Sequence, residues 1–205
     1  ANVIISTNSS ISNPTTYHQF QIQEFRRPEF EVKTRNETEA PYFVKSNALV
    51  STNASYYAGG GLANADVNWV VTSTPTNYTP PTRDDYTFGK WVPWWRSYGG
   101  DYSQSTTQTF KGITDAAGKH LLKIDFEDAN PARPFSIRAA GSVMDVNRQT
   151  WSSSTNLLVH PSDLYVGIKT PRTFVNKGEK ITVESIVADI DGKLVANRTA
   201  TIKAI

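Results

Sequence analysis

Apolar and polar residues alternate with a period of two along most of this chain, in runs closed by turn-forming clusters. "ADVNWVV" (65–71) puts Ala65, Val67, Trp69 and Val71 on one face. "LLKIDF" (121–126) does the same with Leu122, Ile124 and Phe126, and "FSIRAAGSV" (135–143) with Phe135, Ile137, Ala139, Gly141 and Val143. No stretch sustains a helical period. Between the runs lie "YYAGGGLAN" (56–64), "DAAGKH" (115–120) and "DIDGK" (189–193), which read as hairpin turns. The pattern predicts an all-β chain of short strands, and strands of this length with such turns pack as β-sandwiches.

A second regularity lies at long range. "FEVKT" (30–34) is echoed by "VGIKT" (166–170), and "FVKSNALVSTNA" (43–54) by "FVNKGEKITVES" (174–185). "LANADVNWVV" (62–71) is echoed by "LVANRTATIKA" (194–204). The three echoes keep their order at an offset of about 130 residues, the size of one sandwich domain. If one unit starts near residue 28, another starts near 156. The chain then holds only the first strands of that second unit, a half sandwich with an uncovered apolar face.

Several phrases resemble a known family. "FQIQEFRRPEFEV" (20–32) is similar to the junction between successive macroglobulin-like domains of the alpha-2-macroglobulin family, its bacterial-type branch above all. "YYAGGGLANADVNWVV" (56–71) resembles the second and third strands of the next domain, and "TPPTRDDYTFGKWVPWW" (79–95) its long Trp-rich excursion. "DVNRQTWSSSTNLLVHPSDLYVGIKT" (145–170) resembles its last strand and the entry to the domain after it. The resemblance implies tandem fibronectin/immunoglobulin-like β-sandwiches of macroglobulin type, one complete and two partial. Residues 1–27 would be closing strands of a second domain, 28–150 a complete third domain, and 151–205 the first strands of a truncated fourth. It also implies a non-catalytic scaffold segment of a broad-spectrum protease inhibitor. In that family a protease cuts a bait segment and a Cys-Gly-Glu-Gln thioester captures it. With no cysteine in this chain, bait and thioester would both lie elsewhere in the parent protein. The implied partners are the parent's other domains or a second copy, and proteases through the parent. The implied location is extracellular, or the bacterial periplasm or cell surface.

Composition narrows the chemistry. The 21 Lys and Arg are dispersed against 19 Asp and Glu, leaving a net charge of +2 and no basic face for nucleic acid. No apolar run reaches the length needed to insert into a membrane. Without cysteine there is no disulfide frame and no thiolate metal site. His18, His120 and His160 show no metal-ligand spacing and read as solvated or capping residues. "DIDG" lacks the later ligands of a calcium loop and reads as a D-G turn. Glu24, Glu29 and Glu31 around Arg26 and Arg27 read as a surface ion-pair strip, not as a hydrolytic carboxylate pair. "YAGGG" (57–61) opens no helix and so offers no phosphate cradle. No catalytic residue, metal site or cofactor is expected.

Two sets of residues remain as candidate sites. Five N-x-S/T sequons, at Asn8, Asn36, Asn53, Asn77 and Asn197, are candidate N-glycosylation sites. Trp91, Trp94 and Trp95 in "FGKWVPWWRSYGG" (88–100) are candidates for contact with another domain or protein. Neighbouring residues of an extended segment face opposite ways, so Trp94 and Trp95 should meet different surroundings. A carbohydrate-binding or adhesin module that uses this loop is the alternative reading.

Overall fold

A computed structural model describes residues 2–8, 10–11, 15–20, 29–91, 105–128, 132–172 and 174–203. Every regular element among the described residues is a strand. The first two, β1 (Asn2–Ser6) and β2 (Thr15–Gln19), form an antiparallel pair of their own.

The centre of the chain is a two-sheet sandwich. One sheet holds β3 (Phe30–Asn36), β5 (Asn47–Tyr56) and β9 (Lys119–Asp125) in the order β3-β5-β9. The facing sheet runs β4-β11-β10-β6-β8. It is built from β4 (Tyr42–Phe43), β6 (Asp66–Pro75), β8 (Thr106–Ile113), β10 (Phe135–Met144) and β11 (Thr150–His160). The alternation read from the sequence sets which side faces in. Ala65, Val67, Trp69 and Val71 are all buried, as are Ile137, Ala139 and Val143 opposite Ile124 and Phe126. Trp69 is 0% exposed, and its indole N–H donates to His120 Nδ1 at 3.1 Å. The imidazole fits because β8 carries Gly112 beneath it, where any Cβ would overlap the ring. Along the opposite side, Thr34 N donates to Ser153 Oγ (3.1 Å) and Thr155 Oγ1 to Asn36 Oδ1 (2.9 Å), tying β3 to β11.

Two of the expected hairpins prove to be something else. Residues 56–64 and 115–120 connect strands in opposite sheets, β5 to β6 and β8 to β9, so each turns a corner of the sandwich. The turn chemistry does not distinguish the two cases. Asp115 Oδ1 accepts from Ala117 N (2.9 Å) and Lys119 N (2.8 Å) at the corner. Asp189 Oδ1 accepts from Asp191 N (3.0 Å) and Lys193 N (2.8 Å) in "DIDGK", where a bridge from Ala188 to Leu194 does make a hairpin. An Asp side chain that satisfies the next amides stabilises either one.

Beyond Pro161 the chain enters a further sheet, in the order β13-β12-β7. It comprises β12 (Leu164–Lys169), β13 (Glu184–Asp189) and β7 (Thr87–Phe88), the last contributed from far upstream. The expected boundary after residue 150 falls at the start of β11, which pairs with β10 from Thr150 to Val159.

The long-range echo has a counterpart in backbone register. Aligning "FEVKT" with "VGIKT" sets Val32 on Ile168, and the second echo sets Ala54 on Ser185. Val32 stands opposite Ala54 in β3–β5, and Ile168 opposite Ser185 in β12–β13. The third echo aligns Asn64 with Asn197, and both adopt left-handed φ, 54° and 57°.

Candidate docking site between the central sandwich and the following strands

The excursion that leaves β6 at Pro75 carries the chemistry that joins the two parts of the chain. Thr76 N is held by Pro134 O at 2.9 Å, so the segment departs in a set direction. Pro80 is fully buried, and a tight turn follows in which Arg83 N reaches Pro80 O at 3.3 Å. The two residues of β7 then pair antiparallel with β12, Phe88 opposite Gly167 and Thr87 opposite Ile168. Phe88 is 5% exposed. Its ring occupies the space over Gly167, where a Cβ would come within 2.7 Å of the ring edge.

Further contacts fall on the turn after β13. Tyr78 Oη donates to Ile190 O at 2.6 Å and Arg83 Nε to Gly192 O at 2.8 Å. Gly192 has φ of 83° and lies against the Pro81 carbonyl, which leaves no room for a Cβ. Only glycine satisfies both constraints. Lys169 Nζ pairs with Asp85 Oδ2 at 2.9 Å and lies over the Tyr86 ring. That pair holds the Asp85 carboxyl below and the Lys169 ammonium above their ordinary values, through the hydrogen bond first. Both groups are well exposed, so the pair adds little to affinity.

At the root of the site, rings from three segments meet. His160 at the end of β11 shares a 2.8 Å hydrogen bond with Tyr165 Oη in β12. Tyr78 packs edge-on against His160 at 4.8 Å between centroids and lies 5.3 Å from Tyr165. Burial pushes the Tyr165 hydroxyl well above the usual phenol range and raises that of Tyr78, with Asp191 and Asp189 adding to the latter.

The arrangement has the anatomy of a protein–protein contact, with apolar and aromatic groups at the centre and a charged pair at the rim. Gathered here are Tyr78, Pro80, Arg83, Phe88, His160, Tyr165, Gly167 and Gly192, none singled out by the sequence except His160. His160, expected as a solvated or capping residue, is buried and hydrogen-bonds Tyr165. His120 is half-buried and accepts the Trp69 N–H, whereas His18 is exposed. Trp91 is about half exposed at the end of the described excursion, and Trp94 and Trp95 lie outside the described residues. Glu31 pairs with Lys33 at 2.6 Å, while Glu24, Arg26 and Arg27 lie outside the described residues.

The sequons are placed unequally. Asn8, Asn53, Asn77 and Asn197 are exposed. Asn36 is not free in the same way, because its Nδ2 donates to Asn156 O at 3.2 Å while Thr155 holds its Oδ1.

No family model matches the chain. A curated relative, Circularly permutated Ras protein 2 of Dictyostelium discoideum, is 32% identical over 165 residues, 74% of this chain and 4% of that protein. The Alpha-2-macroglobulin homolog of Nostoc sp. (strain PCC 7120 / SAG 25.82 / UTEX 2576) is 23% identical over 183 residues, 88% of this chain and 9% of that protein. The native conformation of Escherichia coli alpha-2-macroglobulin superposes with a TM-score of 0.60 at 12% identity, over 87% of this chain and 12% of that one. The chain resembles alpha-2-macroglobulins in both sequence and fold. A Salmonella alpha-2-macroglobulin reacted with methylamine also gives a TM-score of 0.60, at 10% identity over 93% of this chain and 13% of that one. At such identities the solved structures speak for the fold alone, and that fold is the macroglobulin-like β-sandwich. This macroglobulin-like chain spans less than a tenth of either curated relative.

Proposed function

We propose that the chain is a non-catalytic scaffold segment of an alpha-2-macroglobulin-like protease inhibitor, working outside the cytoplasm as a secreted or periplasmic protein. Its task in that reading is to hold two successive β-sandwiches at a set angle. The observation that carries it is β7, a strand emitted by the central sandwich and built into the sheet of the strands that follow. A strand donated across a joint adds directional backbone bonds that sliding apolar faces lack. We further divide the chain at Pro161, with residues before 28 as the end of one sandwich and residues after it as the start of another.

Bait cleavage in the parent would act on this scaffold by moving sandwiches as rigid bodies, so the joint decides which rotations are open. The test uses the whole parent protein, incubated with trypsin and then offered a large protein substrate and a small peptide. The scaffold reading expects the peptide to be cut and the large substrate spared. In a Gly192→Val variant, sparing should be impaired although the protein stays folded. A parent that never spares the large substrate would sink the inhibitor role. Glycan-array binding that vanishes with Trp91→Ala would favour the carbohydrate-binding alternative instead.

A further inference from the structure

One histidine sits where the central sandwich, its excursion and the following strands converge. His160 ends β11 and is 6% exposed. Tyr165 of β12 bonds its Nδ1, Tyr78 of the excursion packs edge-on against it, and Phe43 of β4 lies 6.0 Å away between centroids. Its carbonyl accepts from Val44 N at 3.0 Å, which fixes the backbone beneath the ring. The groups facing it from these three elements are thus two phenols and a phenyl. Asp189 and Asp191 bear electrostatically on Tyr78, whose hydroxyl is already committed to the Ile190 carbonyl.

We propose that His160 is an acid-sensitive latch, and that protonating it releases the excursion and the β12–β13 strands from the end of the central sandwich. A neutral imidazole needs one hydrogen bond with Tyr165 and tolerates a ring-lined pocket. An imidazolium brings a full charge into the same pocket, and charge is costly to bury without a partner. Burial already holds this histidine below its ordinary value.

The sign follows from linkage. Undocked, His160 takes a proton near its ordinary value of about 6.5, and docked it does so only at lower pH. The undocked state therefore binds more protons in that window. Docking is at full strength above about pH 6.5 and weakens as pH falls through the docked value. His120 is also neutral and held low by burial, but it bonds Trp69 inside the sandwich, so its protonation acts on β6 and β9.

Hydrogen exchange of the whole chain between pH 7.5 and 5.0, corrected for intrinsic rates, reads the latch. Amides of 86–88, 164–169 and 184–195 should lose about tenfold protection or more below pH 6, while β6 and β10 hold. In His160→Phe the ring contacts remain and this acid response should vanish. A response that persists in His160→Phe, or one that β6 and β10 share equally, overturns the proposal. Should that variant lose protection throughout, an NMR titration of the His160 ring in the unaltered chain decides. A midpoint below the ordinary value sustains the latch, and one at or above it overturns it.

Discussion

Trp69 carries the largest fully buried side chain of the central sandwich and, with it, one polar obligation. Its indole N–H has a partner only while His120 is neutral, because a protonated Nδ1 cannot accept. Trp69→Phe should lower stability by about 2 kcal/mol, read as a shifted urea midpoint, because it removes both ring volume and the hydrogen bond. Glu37 makes the complementary case at the surface. It accepts from Ser51 Oγ (2.6 Å), Lys119 Nζ (2.9 Å) and Arg35 Nε (3.0 Å), and these bonds, that of Ser51 first, hold its carboxyl down to about 2. A depressed carboxylate stabilises the fold above its unfolded value and loses that contribution as pH falls through the folded one. Stability should therefore decline from about pH 4.5 toward pH 2, and a urea-midpoint series should show a shallower decline in Glu37→Gln.

β7 shows how little sequence an element needs when its neighbours supply the rest. Two residues cannot form a strand alone, but Phe88 fills the notch over Gly167 and thereby sets the register. Phe88→Ala should weaken docking by about 3 kcal/mol, seen as faster limited proteolysis within 76–91 while the core amides of β6 and β10 stay protected. Gly192→Ala should act in the same direction by about 2 kcal/mol, since it strains φ and crowds Pro81. β6 and β10 were legible because one face of each is buried, which writes a period of two into Val67, Trp69 and Val71 and into Ile137, Ala139 and Val143. The docking site was not legible, for two physical reasons. Tyr78 and Arg83 bind backbone carbonyls, which any sequence presents. The corner at 115–120 and the hairpin at 189–193 use the same Asp and Gly chemistry, so turns reveal reversal without revealing the sheet that receives the chain.

At the scale of the whole molecule, the register-true echo turns exposure into a statement about neighbours. Phe30 and Val50 are fully buried, whereas their counterparts Val166 and Ile181 are 51% and 49% exposed. Ile168, the counterpart of Val32, is 44% exposed. We propose that in the parent protein a second sheet covers this face as β10 and β11 cover β3 and β5. Ile168→Lys, a surface change in this chain, should then cost the parent about 2 kcal/mol or more in thermal or urea unfolding; an unaffected parent would refute the covering. The tryptophan segment belongs to this scale as well. Its described part starts at Phe88 in the joint and ends at the half-exposed Trp91, for which contact with another domain is a proposal.

The shared register also bears on how the molecule avoids tangling with itself. Two strand pairs with matching antiparallel register and an equivalent left-handed asparagine could exchange places while the chain is still folding. Adjacent repeats are prone to this kind of misassembly. What separates them is the side-chain detail: Phe30 against Val166, Glu31 against Gly167, and Val50 against Ile181. Gly167 accepts the ring of Phe88, and Glu31 at the matching place in β3 offers no such notch. The excursion thus selects the correct neighbour, sorting two look-alike strand pairs into their proper order.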